Sequence, residues 1–598
     1  MSTSVRNRSD HSGMPYWAGP YLLGGVLVGL WLIFWAGQAL SGPGVSVNPL
    51  LHLIGLLKPA HAQHYSILGF ILSAVILAVL GGLVLWLVRS SRARTSRGGS
   101  VRHATKSLAS RAQIEQMGRK AVTKSQQHLN MDLPEWASPG QLVGRELGTG
   151  KEIYLDYETL MLDTWPARYG KTTGRVFPMM LDAPGAVVAT SNKPDLIGDT
   201  IALREAVGTC WVGDPQRIYT GGDARPAFWV DPLDYIRRRP ADEWDSAAGD
   251  LARLFADDAG VSVGSGGDDA MWRNSGAELL ACMLLAAAVE YRPITDVLDW
   301  ANDESDRSIV DILKRHDWPS MAMLANGSYN LVDRTRSGVF FSMKSMVTPL
   351  ATKVFQNWVT DPQSDDVPKF SPDEFIAAHD RGECPTLYLL SDKRRAGSAS
   401  LLVILLTVWV TEAAEYSAFR QGGRLKTPLM MPLDEIANTV TWQGMPDAYS
   451  HFGSKGIIIA SILQSYGQAK EIWGENKAGV LRDNAALMIG GGIKDSAYLK
   501  EIETLIGEYE SRKVSRSSDS DSYKTSASVS LDDKSILTAA ELRDMDPHMM
   551  LVIAPKRRPV LVETIPFWER TFRPEIEAQR KLIEQAKQDA AALAAAEQ

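Results

Sequence analysis

The sequence predicts an α/β protein with a mainly parallel sheet, an inserted all-α region and an N-terminal two-helix transmembrane hairpin. Short apolar strand patterns alternate with helical patterns from about residue 150 onward, which is typical of a parallel sheet covered by helices. A stretch at about 241–355 interrupts this alternation with helical patterns only. Near the N-terminus, two uncharged apolar runs are each long enough to cross a membrane.

The two apolar runs, at about 17–40 and 67–88, each exceed the length of about 20 residues that a membrane span needs. Arginine and lysine follow the second run, whereas the loop between the runs has only Lys58 as a fixed charge. The positive-inside rule therefore predicts two spans with both termini in the cytoplasm. A cleaved signal peptide is the alternative for the first run, but that run is too long and a second one follows. The basic run is also suited to anionic lipid, and DNA binding by it is the weaker alternative.

The composition limits the class of function. A formal net charge of −7 argues against a generally basic nucleic-acid coat. The cysteines Cys210, Cys282 and Cys384 have neither pairing nor metal-ligand spacing, as expected for a reduced, cytosolic compartment. About 500 residues follow the second apolar run, enough for one large domain or two medium ones.

Composition and periodicity divide the chain into seven predicted segments. They are a cytoplasmic N-terminus at 1–14, the transmembrane hairpin at 15–88, a basic linker at 89–135, the first part of a nucleotide-binding domain at 136–240, the all-α insertion at 241–355, the second part of that domain at 356–570, and a C-terminal tail at 571–598.

Strand and helix patterns place the elements within these segments. The strand candidates are 152–155, 160–162, 186–190, 210–212, 385–390, 428–433, 456–463 and 549–554. The apolar helix at 399–416 is predicted to be core rather than a membrane span because Glu412 and Glu415 interrupt it. The Ser-rich stretch at 511–535 is predicted to be a mobile loop. An Asp-rich loop at 257–269 is predicted to be solvated, with a metal site as the weaker alternative.

A candidate phosphate-binding loop follows the strand at 160–162 and precedes a helical pattern. This order of strand, Gly-Lys-Thr loop and helix is what phosphate binding needs, because backbone N–H groups and the helix dipole attract an anion. We expect Lys171 to reach the β- and γ-phosphates of ATP and Thr172 to ligate Mg²⁺. The candidate nucleotide-binding residues are Arg168, Tyr169, Gly170, Lys171, Thr172 and Thr173.

This loop departs from the usual pattern at one position. Trp165 occupies the place of a glycine five residues before Gly170, and a bulky side chain does not take a positive φ without strain. An ordinary helix start is therefore the alternative for the Gly-Lys-Thr sequence alone.

Two other predicted strands end in polar side chains. The strand at 428–433 ends in Asp434 and Glu435, and the strand at 456–463 ends in Gln464. Functional groups of parallel α/β sheets lie at the carboxyl ends of strands. We therefore predict that Asp434 holds Mg²⁺ through water, that Glu435 activates the attacking water, and that Gln464 senses the γ-phosphate. Solvated strand ends are the alternative for each motif taken alone.

Taken in order, these motifs resemble the type IV coupling protein family, the membrane-anchored ATPases of bacterial conjugation. The resemblance covers about 16–566 of the chain. The segments that carry it are 166–181, 191–196, 230–234, 433–438, 462–468, 482–484 and 537–543.

The resemblance implies a RecA-like, commonly hexameric motor in the bacterial inner membrane that uses ATP and Mg²⁺. Its implied partners are relaxase-bound single-stranded DNA, relaxosome proteins and the components of a type IV secretion channel. The sequence at 451–456 replaces an Arg-Gly pair of the family, so the role of that arginine is absent or moved to Lys455. Arg336, near the C-terminal end of the insertion, is a candidate arginine finger, and a surface salt bridge is the alternative.

The favoured function is that of an ATP hydrolase that drives DNA translocation, with an insertion that recognises substrate rather than hydrolysing ATP. The alternatives are a septal double-stranded DNA pump, a protein-exporting secretion ATPase and a nucleotide-independent docking platform. The platform draws its main support from Trp165.

Overall fold

The computed structural model describes residues 31–41, 66–80, 101–220, 225–261, 270–392, 400–518, 525–572, 574–578, 580–581 and 585, with backbone alone at 270 and from 511 to 532. Two compact units make up the chain, residues 1–99 and residues 100–598. Residues 17–30 and 81–88 of the predicted membrane spans and the basic residues up to 100 lie outside the described residues, as do Asp268, Asp269 and most of the C-terminal tail.

The first unit contains two short apolar helices, α1 (Trp31–Leu40) and α2 (Ile67–Leu80). They are linked at Gln38, whose buried side-chain oxygen Oε1 accepts a hydrogen bond from the Ser66 N–H at 3.1 Å. A buried amide needs such a partner. These helices lie within the two predicted apolar runs, and the two-span topology stays a prediction.

The second unit is built on a large mixed sheet. Its order is β2-β1-β13-β12-β9-β3-β8-β7-β4-β6-β5, and the run from β9 to β5 is parallel throughout. The prediction of a mainly parallel α/β sheet is therefore confirmed. The strands are β1 (Gln141–Glu146), β2 (Glu152–Leu155), β3 (Met161–Thr164), β4 (Val187–Ser191), β5 (Cys210–Gly213), β6 (Thr386–Leu390), β7 (Leu429–Leu433), β8 (Ile457–Leu463), β9 (Ala486–Gly490), β10 (Glu508–Ser518), β11 (Thr525–Ser535), β12 (Met549–Ile553) and β13 (Val560–Glu563).

Helices cover both faces of this sheet. Because side chains alternate along a strand, Met161 and Leu162 of β3 lie in two different apolar clusters, one on each face. The helices are α3 (Arg111–Glu115), α4 (Arg119–His128), α5 (Phe177–Leu181), α6 (Asp195–Glu205), α7 (Asp234–Arg237), α8 (Trp244–Asp258), α9 (Ala270–Val289), α10 (Thr295–Asn302), α11 (Ser308–Arg315), α12 (Pro319–Tyr329), α13 (Asp333–Val347), α14 (Lys353–Val359), α15 (Pro372–Asp380), α16 (Ser400–Arg420), α17 (Ile436–Thr439), α18 (Met445–Ala448), α19 (Phe452–Lys455), α20 (Tyr466–Asp483), α21 (Ser496–Ile506) and α22 (Ala539–Arg543).

Between β5 and β6, every secondary-structure element that the structure describes from 241 to 359 is a helix. Its apolar side chains, including most of α9, belong to the same cluster as those on one face of the sheet. Within the described residues, α16 is the one helix that is long and apolar enough to cross a membrane. Its apolar stretch is 83% buried in the protein, as expected for a core helix that is apolar on all sides.

The prediction of a mobile loop at 511–535 is wrong for most of that segment. β10 and β11 pair as a two-stranded antiparallel sheet from Glu508–Ser535 to Ser518–Thr525. A strand ladder is held by main-chain hydrogen bonds, so Ser-rich polar strands form it without apolar side chains. The composition of the stretch therefore did not exclude strands.

Candidate nucleotide-binding site

Four neighbouring parallel strands, β3, β8, β7 and β4, bring their carboxyl ends to one edge of the sheet. After each of these strand ends, the chain carries polar residues that face the same site. In the order of the strands, these residues are Lys171 after β3, Gln464 after β8, Asp434 and Glu435 after β7, and Asn192 after β4. The sequence-predicted strand ends thus lie side by side.

The loop after β3 turns sharply into a helix. Arg168 and Gly170 have positive φ values of 68° and 86°, and Thr172–Val176 form a π-helical turn that continues into α5. The Gly174 N–H closes this turn on the Gly170 carbonyl at 2.9 Å. A Cβ atom on Gly170 would lie 2.3 Å from the His548 ring, so only glycine fits there. The half-buried Thr172 and Thr173 begin the helix, where backbone N–H groups attract anions.

Trp165 fits this loop without a positive φ. Its N–H extends the strand ladder to the Leu463 carbonyl at 2.8 Å, and its fully buried indole donates from Nε1 to the Tyr169 carbonyl at 3.0 Å. The ring packs on Gly490, where a Cβ atom would lie 2.6 Å from it. The loop takes its left-handed turns at Arg168 and Gly170 instead, so the expected strain at Trp165 does not arise.

Lys171 is buried at the centre of the site, with a side chain that is 4% exposed. Its Nζ lies 3.1 Å from Asp434 Oδ1 and 3.1 Å from Glu435 Oε1. Burial alone would lower the pKa of Lys171, but the two carboxylates outweigh it and raise that pKa. Burial likewise works to raise the pKa of Glu435, but Lys171 holds it below the ordinary value. Both groups are therefore charged at neutral pH.

Glu435 is held by amide side chains as well. Its Oε2 accepts hydrogen bonds from Asn192 Nδ2 at 2.9 Å, Gln464 Nε2 at 3.0 Å and Asn438 Nδ2 at 3.2 Å. The backbone of Glu435 is left-handed, with φ of 52°. A non-glycine residue in this conformation is strained and persists when its surroundings fix it, which is common at functional sites.

The donor set fits a nucleotide with a hydrated Mg²⁺. Asp434 Oδ1 and Asn192 Oδ1 are buried oxygens that receive no hydrogen bond; Lys171 Nζ lies near the former but outside hydrogen-bond geometry. Carboxylate and amide oxygens are the hard ligands that Mg²⁺ and its bound water prefer. A buried lysine at the start of a helix complements phosphate.

Two other sequence candidates lie apart from this site. Within the chain, Arg336 contacts acids of the helical region, with Nη2 2.8 Å from Asp333 Oδ1 and Nε 3.9 Å from Glu304 Oε2. Lys455 pairs with Glu415 and precedes β8, at the opposite end of that strand from the site. Neither side chain reaches the phosphate loop of its own chain in these contacts.

The sequence reasoning missed Asn192 and a buried ion pair beneath the loop. Asn192 follows β4, so the rule that selected the other strand ends applied to it too. Asp163 on β3 accepts from Arg175 Nε at 2.9 Å, and both side chains are at most 2% exposed. Burial raises the pKa of Asp163, and Arg175 opposes this only in part. An aspartate inside an apolar strand was the signal for this pair.

We expect Asp163→Ala to lower the free energy of unfolding by about 3–5 kcal/mol, because it leaves the buried Arg175 without a counter-charge. Chemical denaturation of the purified protein measures this loss. Arg145→Ala is the control, since its 3.5 Å pair with Glu569 is exposed and is expected to contribute less than about 1 kcal/mol. A loss as small as the control's would show that Asp163 and Arg175 do not stabilise the loop's base.

Comparison with known proteins finds one matching family model and several similar folds. A family model described as the TraM recognition site of TraD and TraG matches residues 428–547, which include Asp434, Glu435 and Gln464. The fold is similar to that of the unbound bacterial conjugative coupling protein TrwBdeltaN70, with a TM-score of 0.51 and 14% identity over 75% of this chain and 91% of that chain. The predicted resemblance to the type IV coupling proteins is confirmed.

A second crystal form of the same coupling protein, in complex with sulphate, agrees with this. It matches with a TM-score of 0.50 and 15% identity over 76% of this chain and 93% of that chain. Plasmid coupling protein TrwB in complex with ADP and Mg²⁺ aligns with a TM-score of 0.48 and 16% identity over 69% of this chain and 87% of that chain. A comparison with curated protein sequences finds no match.

Proposed function

We propose that this protein is an ATP-driven DNA translocase that couples a relaxosome to a type IV secretion channel during conjugation. The observation that carries the proposal is the meeting of Lys171, Asp434, Glu435 and Gln464 at adjacent strand ends. These residue types at this edge of a parallel sheet are those of a nucleotide hydrolase. The coupling-protein fold supplies the link to DNA transfer.

The contacts of Lys171 suggest how ATP binding prepares the site. Lys171 is paired with both carboxylates, and the phosphates of ATP would compete for its ammonium group. Glu435 would then be released from Lys171 while the amides of Asn192 and Gln464 still orient it. The amide donors from Asn192, Gln464 and Asn438 favour the ionised carboxylate that orients and activates water.

The site also contains residues that would hold the metal ion of the nucleotide. Thr172 at the helix start and Asp434 at the strand end would hold Mg²⁺, which supplies charge neutralisation to the phosphates. The cofactor-binding residues of the proposal are Arg168, Tyr169, Gly170, Lys171, Thr172 and Thr173.

The proposed partners are relaxase-bound single-stranded DNA, relaxosome proteins and components of the secretion channel. The match of residues 428–547 to a TraM recognition site supports an interaction with a relaxosome protein. We place the protein in the bacterial inner membrane with two spans and cytoplasmic termini. The apolar character of α1 and α2 supports this placement.

The proposal includes a hexamer in which Arg336 acts on the site of a neighbouring subunit. We expect Arg336→Ala rings to be inactive and to regain part of their ATPase activity when mixed with Lys171→Ala subunits, since a mixed ring restores some complete sites. Arg315→Ala is the control, because Arg315 is an exposed arginine of the helical region that, like Arg336, pairs with an acid. An Arg336→Ala ring with normal activity would eliminate the shared finger.

A transfer assay tests the proposed function as a whole. Donor cells that lack the gene for this chain are expected to lose transfer of the mobile element and to regain it when the wild-type chain is supplied. Normal transfer from donors without the chain would contradict the proposal.

A further inference from the structure

The segment that follows Glu435 contacts both the site and the helices that pack beside it. Glu435 precedes the short helix α17, whose last residue, Thr439, places its hydroxyl 3.3 Å from the carbonyl oxygens of both Asp434 and Glu435. Four residues later the chain reaches Gln443. Through these hydrogen bonds of Thr439, the segment 436–443 holds the strained backbone of Glu435 in place.

The helix that follows Gln464 fixes the same segment. Gln443 Nε2 donates to the Ile472 carbonyl at 3.0 Å, and the indole of Trp473 donates to the Trp442 carbonyl at 2.9 Å. Both contacts come from α20, which begins two residues after Gln464. The two chain segments that leave the site therefore meet again at Gln443.

The helical region between β5 and β6 contacts this meeting point directly. Asp257, in the last turn of α8, accepts a hydrogen bond at Oδ2 from the Gln443 N–H at 3.3 Å. A cavity of about 450 Å³ lies beside this contact, and Asp257, Gln443 and Ile472 line it. Core packing of Ile436 and Val440 holds the first part of the segment, whereas Gln443 borders the cavity and is held there by hydrogen bonds.

We propose that Asp257 is a positioning residue of the ATPase site, through which the helical region holds Gln443 and thereby the backbone of Glu435 in the hydrolysing arrangement. This inference rests on the proposed ATPase function. It gives the helical region a second role beside substrate recognition, because a cargo that shifts α8 would change the rate of hydrolysis. Asp257 acts through Gln443 and does not contact the nucleotide.

The test is the steady-state and binding behaviour of Asp257→Ala in the full-length protein. We expect kcat for ATP hydrolysis to fall about tenfold, as for other remote losses of positioning. The Kd of a non-hydrolysable ATP analogue should stay within about twofold, because Lys171 and Asp434 keep their places. Asp257→Asn should restore kcat, since its amide oxygen also accepts from Gln443. Burial raises the pKa of Asp257 to about 6, so these surroundings suit a neutral side chain.

Asp258→Ala is the matched control. It removes the same charge from the same helix turn, but Asp258 accepts from Ser400 rather than from Gln443. Amide hydrogen exchange over 436–443 should speed up in Asp257→Ala and not in Asp258→Ala. If Asp257→Ala does not fold, Asp257→Leu, which keeps the volume and lacks an acceptor, replaces it.

Three results would overturn the inference: a wild-type kcat in Asp257→Ala, an equal fall in Asp258→Ala, or a loss of analogue binding as large as the loss of kcat. The proposed function fails separately, when the wild-type protein itself hydrolyses no more ATP than Lys171→Ala. A hydrolysing wild type with an unchanged Asp257→Ala refutes only the role of Asp257.

Discussion

Lys171→Ala is expected to reduce ATP hydrolysis by at least about 10²-fold and to abolish DNA transfer. The substitution removes the only described cation that lies 3.1 Å from both site carboxylates and with it several kcal/mol of electrostatic stabilisation of the phosphates. Phosphate release by the purified protein measures the first effect, and the donor-cell assay measures the second. Normal transfer by the variant would favour a docking platform over a motor.

Lys171 also has a structural effect that its place on a loop did not predict. Residues on loops usually make few core contacts, whereas Lys171 lies 3.1 Å from each of two buried carboxylates. Without Lys171, the remaining cation beside Glu435 among the described residues is the exposed Lys193, whose Nζ lies 3.6 Å from Glu435 Oε1. A thermal melt must therefore accompany the kinetics. Lys171→Met, which keeps most of the volume, is the matched variant: it should be as inactive as Lys171→Ala.

Glu435→Gln is expected to bind ATP within about threefold of wild type while hydrolysis falls about 10²- to 10⁴-fold, as for the loss of a general base. The amide keeps the shape of the side chain but cannot accept a proton from water. Asp434→Ala should instead weaken Mg²⁺-dependent binding, because it removes the buried oxygen suited to the metal's water shell. Direct binding titrations with and without Mg²⁺ separate the two. An equal loss of binding in both variants would show that the assigned roles are wrong.

Where a single strand carried the signal, the sequence correctly predicted which strand ends lie side by side. The strands before Asp434 and Gln464 are apolar runs, interrupted only by Ser461, that change abruptly to polar residues, whereas the shorter run before Lys171 leads into Asp163. Strands buried on both faces become accessible only at their ends. Once these strands are parallel neighbours, their polar ends must meet. The sheet class and the site's edge therefore followed from pattern alone.

What the sequence did not predict depends on contacts between distant segments. The strand-end rule marks Asn192 as a candidate, but Asn192 reaches Glu435 because β4 is next to β7, and no single strand specifies the order of the strands. The packing of Trp165 against Gly490 is equally long-range. Asp163 and Arg175 are only 12 residues apart, but their pairing depends on the turn of the loop between them. The strands β1, β9 and β13 were also not predicted, although none is shorter than the predicted strands β2, β3 and β5. Whether Arg336 reaches a site depends on a neighbouring subunit, which one chain's pattern cannot specify.

The rate of ATP hydrolysis by the full-length protein in detergent or lipid, measured with and without single-stranded DNA, tests the central claim most directly. The account predicts hydrolysis that depends on Mg²⁺, increases when single-stranded DNA is added and is absent in Lys171→Ala. A wild-type rate that equals that of Lys171→Ala, with DNA present, would contradict it.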